Sequence, residues 1–76
     1  MNRRARSSGI TLKAGDAALV RGMLARGDRQ SDIAAYFAVN GGRISEINTG
    51  KTFWWVDAAR SEELPPPGPY MAAAAE

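Results

Sequence analysis

The sequence contains no cysteine and no histidine among its 76 residues. Their absence excludes disulfide bonds, cysteine–histidine zinc sites, thiol nucleophiles and imidazole bases. The remaining carboxylates and hydroxyls show no paired catalytic arrangement, and a chain this short builds one small domain rather than an enclosed pocket. We therefore predict that the protein is not an enzyme and that it binds no cofactor, metal or small-molecule substrate.

A long apolar run is also missing. No stretch has the length of a membrane span, and the basic N-terminus is not followed by the apolar segment of a signal peptide. We expect a cytoplasmic protein without a membrane partner.

Charge is distributed unevenly, although the net charge is only +2. Residues 1–13 carry four basic side chains and no acid, whereas residues 57–76 carry one basic and four acidic side chains. A basic start favours an arm that faces nucleic acid, and it fits a solvated segment equally well. We predict a flexible basic arm at 1–11 and an acidic, proline-rich, extended tail at 57–76.

The apolar spacing between these segments is helical. Ala17, Val20 and Leu24 recur at helical intervals and predict a first helix at 13–26. Two glycines in this helix, Gly15 and Gly22, are poor helix formers, so its stability must depend on tertiary packing.

Two shorter helices are predicted at 30–38 and 41–49, with Asn40 as the N-cap of the second. The pattern between them is that of two helices crossing at a steep angle through a short turn, with a small residue, Ala34, inside the first helix. The apolar positions around it are Ile33, Phe37, Val39, Ile44 and Ile47. The predicted fold class is therefore all-α, a three-helix domain at 12–56.

Residues 29–53 resemble the helix-turn-helix DNA-binding superfamily, in particular its resolvase/invertase-type and HNH-endonuclease-associated modules. The segments that carry the resemblance are Asp32-Ile33-Ala34, Phe37-Ala38-Val39, Ile44-Ser45-Glu46-Ile47 and Gly50-Lys51-Thr52-Phe53. The resemblance implies double-stranded DNA as the partner, with the helix at 41–49 in the major groove. It also implies a transcriptional regulator of bacterial or phage type that associates with the nucleoid.

The chain departs from this family at two places. Ala38 occupies the turn position where glycine is usual, and we expect it to adopt a less left-handed turn. Gly41 and Gly42 replace side chains that often reach base edges, and we expect their exposed amides to approach a phosphate or base instead.

Fourteen residues are candidate DNA contacts: Arg3, Arg4, Arg6, Arg29, Gln30, Ser31, Asn40, Gly41, Gly42, Arg43, Ser45, Glu46, Thr49 and Lys51. Arg43 is the strongest, on a guanine or a phosphate. Its alternative is a solvated side chain with its stem beside Tyr36. Asn40 acts as a cap, a DNA contact or both. Glu46 either accepts from cytosine or repels phosphates at wrong sites.

The run Phe53-Trp54-Trp55-Val56 predicts that Phe53 closes the core and that at least one tryptophan covers it. An exposed tryptophan would instead serve a homodimer or a protein partner, with Tyr70 as a third interface candidate. The segment Pro65-Pro66-Pro67 packs on Trp54 or Trp55, or it docks on a partner. The alternative function is thus a protein–protein interaction module or adaptor using this Trp/Pro-rich region, and a nonspecific architectural nucleic-acid binder is a third.

Overall fold

The computed structural model describes residues 11–70. Within that range the secondary structure is helical and contains no strand, which confirms the predicted all-α class. Helix α1 spans Ala14–Ala25, α2 spans Gln30–Phe37 and α3 spans Gly41–Thr49, followed by a single 3-10 turn at Ser61–Glu63. The helix ends lie within one residue of those expected. The basic arm, apart from Thr11, falls outside the described residues.

Local hydrogen bonds fix where α1 and α3 begin and end. The Lys13 amide donates to Asp16 Oδ2 at 2.9 Å at the start of α1. The Gly42 amide donates to Asn40 Oδ1 at 2.6 Å at the start of α3, so the predicted N-cap is present. Both of these helices are followed by a glycine in the left-handed conformation, Gly27 at φ +100° after α1 and Gly50 at φ +82° after α3.

The core lies where the three helices meet. Its fully buried side chains come from α1, α2 and α3 together: Val20, Met23, Ile33, Ile44 and Ile47. Ala34 is buried as well, as the pattern of a small residue between two helices requires. No polar or charged residue is fully buried among residues 11–70, so the contacts between the helices in the core are apolar.

The turn between α2 and α3 differs from the expectation. Ala38 has φ +58° and ψ +44°, a fully left-handed conformation, so the prediction of a less left-handed turn was wrong. The reason is the way α2 ends: the Val39 amide reaches back to the Ala34 carbonyl at 3.0 Å, and this closure requires a left-handed residue at 38. The conformation costs an alanine about 1–2 kcal/mol. Val39 packs against the core, and its burial helps to offset that cost.

Residues 59–70, called here the strap, run back over the helices. The Ala59 amide donates to the Ala18 carbonyl at 2.8 Å, and the guanidinium of Arg26 donates to the Pro65 carbonyl at 2.8 Å. At the end of the strap, the ring of Tyr70 lies 5.1 Å from that of Tyr36 on α2. The proline-rich segment thus packs within the chain, but on α1 and α2 rather than on Trp54 or Trp55.

Both tryptophans face outward. Trp54 is 71% exposed and Trp55 is 60% exposed, so the prediction that one of them covers the core was wrong. Among the partly buried side chains that pack against the core are Phe53, Val56, Leu64 and Tyr70. The strap supplies the last two.

Candidate nucleic-acid interface

Helix α3 is attached to the core along one side only. Ile44 and Ile47 are buried, and every other residue of the helix is exposed. The exposed set contains the predicted contacts Gly41, Gly42, Arg43, Ser45, Glu46 and Thr49. It also contains Asn48, which the sequence analysis passed over although it follows Ile47 on the rim of the same face.

The first turn of α3 begins with two glycines, and some of its backbone amides already have hydrogen-bond partners within the chain. Two of its amides already have partners, because Gly42 donates to the Asn40 side chain and Arg43 donates to the Asn40 carbonyl at 2.9 Å. The expectation that the Gly42 amide is exposed for a phosphate was therefore wrong. Both glycines are nevertheless exposed and carry no side chain, so another molecule can approach this end of α3 closely.

The hydroxyl of Thr49 is similarly engaged. Its Oγ1 donates to the Ser45 carbonyl at 3.0 Å and lies 3.3 Å from the Glu46 carbonyl. The proton is thus directed into the helix, and the oxygen can act toward a ligand only as an acceptor.

Arg43 lies in an open cleft of about 280 Å³ between α3 and the start of the fold. The cleft is lined by Thr11, Leu12, Arg43, Glu46, Ile47, Thr52 and Phe53. The ring of Tyr36, the alternative neighbour considered for the Arg43 stem, packs instead on Phe37 at 4.9 Å and on Tyr70. Because Thr11 is part of the cleft wall, the chain enters the fold next to Arg43.

Ion pairs separate the cations into two groups. Within residues 11–70, Arg26 pairs with Asp28 at 2.7 Å, Arg29 with Asp32 at 3.5 Å and Arg60 with Glu62 at 2.6 Å. Over the same stretch Lys13, Arg43 and Lys51 form no ion pair, and all three are exposed. Of these, Arg43 lies in the first turn of α3 and Lys51 just after its end, so both are available to an anion beside that helix.

The start of α2 suits a phosphate less well than predicted. Arg29 precedes the helix and is 75% exposed, and its pair with Asp32 is long, so the pair itself adds little stability. The Asp32 carboxylate, however, lies in the first turn and opposes the approach of a second anion. Ser31 is exposed there, whereas Gln30 is half-buried.

The residues that the structure describes carry no net charge. Residues 11–70 contain seven basic and seven acidic side chains, so the positive excess of the chain comes from residues 1–10. The predicted contacts Arg3, Arg4 and Arg6 belong to that segment and lie outside the described residues. Long-range attraction to a polyanion must therefore come from the N-terminal arginines.

Arg21 is a further structural residue that the sequence analysis missed. Its Nη2 donates to the Phe53 carbonyl at 3.1 Å, and its Nε is buried without a hydrogen-bond partner within residues 11–70. The signal was present in the spacing: residue 21 lies four positions after Ala17 and three before Leu24, on the apolar side of α1. Arg21 ties α1 to the chain that leaves α3.

Nothing in the described range indicates a metal site or a membrane span. No three acidic side chains between residues 11 and 70 come together as metal ligands would, and none of the helices there has the length and apolarity needed to cross a bilayer. No protein-family model, no curated protein and no solved structure matches this chain.

Proposed function

We propose that the protein binds duplex DNA, with α3 in the major groove, and that it acts as a small transcriptional regulator. The observation that carries the proposal is the way α3 is held. Two buried isoleucines fix the helix to the core, and a three-residue turn fixes it to α2, so its polar side is presented as a rigid, exposed surface. A helix of this kind fits the major groove, where its first residues meet base edges.

The arrangement of charge supports the same proposal. Arg43 and Lys51 stand at the two ends of α3 without an acidic partner in the described part of the chain. Thr11, the first described residue, lines the same cleft as Arg43, and three further arginines precede it in the sequence. Arg43 is in position for a base edge or a phosphate, and the remaining cations would contact the backbone.

The expected binding is strongly salt-dependent. If Arg3, Arg4, Arg6, Arg43 and Lys51 each neutralise a phosphate, the logarithm of the association constant falls with the logarithm of salt concentration with a slope of about −4.5. That slope corresponds to roughly a 500-fold loss of affinity between 50 and 200 mM salt. Fluorescence anisotropy with a labelled random duplex measures the slope directly, and absence of binding at low salt would refute the proposal.

Arg43 gives the sharpest test of the geometry. Arg43→Ala should weaken binding to a selected site by about 5- to 150-fold if the guanidinium contacts a base edge. Arg60→Ala is the matched control, because it removes the same side chain from the strap, where it pairs with Glu62. Equal losses in the two variants would show that only overall charge matters. Selection from a random duplex pool with the wild-type chain then separates base-specific from nonspecific binding.

A protein-interaction function through the proline segment has less support. Pro65 accepts a hydrogen bond from Arg26, and Pro66 accepts one from the Tyr70 hydroxyl at 2.6 Å, so the strap is engaged within its own chain. Trp54 and Trp55, by contrast, are exposed, so a protein partner can reach them.

A further inference from the structure

Trp54 and Trp55 occupy the centre of a tight turn. The Val56 amide donates to the Phe53 carbonyl at 3.0 Å, which leaves the two indoles at the middle positions of the turn. Their rings stand nearly perpendicular, with an interplanar angle of 84° and centroids 5.6 Å apart. The Trp55 ring also lies 5.6 Å from the ring of Phe53, so the more exposed Trp54 offers the freer face or edge to an approaching aromatic ring, the geometry that aromatic pairs prefer.

Hydrogen bonds hold this turn in place, although the backbone conformation of one of its residues is unfavourable. Phe53 has φ +52°, a left-handed conformation that is unfavourable for a bulky side chain. The Phe53 carbonyl also accepts from Arg21 Nη2, and the amides of Lys51 and Thr52 both point to the Glu46 carbonyl at the end of α3. The surrounding hydrogen bonds thus hold an unfavourable backbone conformation next to an exposed aromatic pair. This indicates that the pair is preorganised for binding.

We propose that this tryptophan pair is the centre of a twofold interface with a second copy of the chain. Two opposite charges close to the pair in the sequence identify the occupant. Lys51 lies three residues before Trp54 and Asp57 three residues after it; both are exposed, and neither forms an ion pair within the described residues. In an isologous dimer each copy presents the same patch, so Lys51 of one copy can pair with Asp57 of the other, and a Lys51 that does so is not available to a DNA phosphate.

The exposed area fits a weak dimer. Taking roughly 250 Å² for a whole tryptophan side chain, exposures of 71% and 60% leave about 300 Å² of indole surface on each protomer. A standard interface buries roughly 800 Å² per partner, so the indoles would supply its apolar centre and the flanking polar residues its rim. We therefore expect reversible association with a dissociation constant in the micromolar range.

The test uses the full chain without DNA, so its outcome is independent of the proposed DNA binding. Sedimentation equilibrium from low micromolar to near-millimolar concentration should show a monomer–dimer equilibrium. Trp54→Ser should raise the dissociation constant by at least roughly 30-fold, as the loss of a central aromatic anchor does. Because Trp54 is exposed, circular dichroism should show the wild-type helix content. A monomer at every concentration, or a dimer that persists in Trp54→Ser/Trp55→Ser, would overturn the proposal.

Two further measurements identify the occupant. Trp54 and Trp55 are the only tryptophans, so their emission should shift to the blue as concentration rises. A blue-shifted emission in a strict monomer would mean that the chain's own terminal residues cover the pair, and it would also overturn the proposal. Lys51→Asp and Asp57→Lys should each weaken the dimer, and the double variant should restore it. Arg60→Asp, which breaks a pair within one protomer, should leave the dimer unchanged.

Discussion

Gly22 offers a direct test of how the strap stabilises the helices. In most exposed helix positions, replacing glycine with alanine stabilises a protein by about 1 kcal/mol, because glycine loses more backbone entropy on folding. At Gly22 an added Cβ would lie 2.7 Å from Leu64 Cδ2 and 3.0 Å from the Ala59 carbonyl oxygen. The leucine methyl can rotate, but the carbonyl belongs to a backbone segment that is hydrogen-bonded to α1.

We therefore expect Gly22→Ala to destabilise the protein. Overpacking of this kind costs about 1–3 kcal/mol, which exceeds the propensity gain and leaves a net loss of about 1 kcal/mol. Gly15→Ala is the matched control in the same helix, because nothing lies within 4 Å of its added Cβ, and it should gain about 0.5 kcal/mol. In a domain of this size, 1 kcal/mol shifts the melting temperature by about 4–8 °C. Thermal and urea unfolding followed by circular dichroism therefore resolve the opposite signs.

The Leu64→Ala background tests the cause of the effect. Leu64→Ala alone should destabilise the chain, because the side chain packs against the core. With the leucine methyls removed, only the close contact to the Ala59 carbonyl at 3.0 Å remains, so Gly22→Ala should then cost less than it does in the wild-type background. Equal stabilisation by Gly15→Ala and Gly22→Ala, or strict additivity of Gly22→Ala and Leu64→Ala, would refute the reasoning about the strap.

Two other predictions concern Asn40 and Tyr70. Asn40→Ala should cost about 1 kcal/mol of stability through loss of the cap. Asn40→Asp keeps the acceptor and the stability but places a negative charge beside the proposed DNA face. Unchanged DNA affinity in Asn40→Asp would exclude that residue from the interface. Burial raises the pKa of the Tyr70 hydroxyl, and the nearby charge of Asp28 raises it further. Since Tyr70 ionises first in the unfolded chain, its contribution to the free energy of unfolding should be constant below about pH 10 and fall above it. A pH series comparing wild type with Tyr70→Phe should show a smaller fall in the variant.

The helical part of the fold was predictable because local signals agreed with the apolar pattern. Ala17 and Val20 in α1, and Ile44 and Ile47 in α3, repeat at helical spacing and are buried, and Asn40 caps α3 as its side-chain chemistry suggests. The Ala38 conformation was not predictable from alanine's own preference. It is imposed by the closure of α2 and by the packing of Val39, which are tertiary effects.

The position of the strap was beyond local reasoning for a related reason. Three prolines correctly indicated a segment without helix, but they say nothing about which surface it covers. Gly22 was the residue that could have indicated this surface. A buried glycine in the middle of a helix marks the close approach of another segment, here Leu64 and the Ala59 carbonyl. The sequence analysis treated Gly22 only as a poor helix former. It therefore did not predict that the strap packs there, and it predicted that a tryptophan covers the core.

The candidate site divides into parts that depend on different physical terms. The shape of α3 depends on apolar packing and on the Asn40 cap, both local to residues 30–50. Affinity for a polyanion depends on charge, and the balanced charges of residues 11–70 leave that role to Arg43, to the N-terminal arginines and, in a monomer, to Lys51. A single α3 with one arginine and one glutamate can discriminate few base pairs. Association of two copies through the tryptophan pair would double both the groove contacts and the number of N-terminal arginines on one duplex, so weak dimerisation and weak single-site binding reinforce one another.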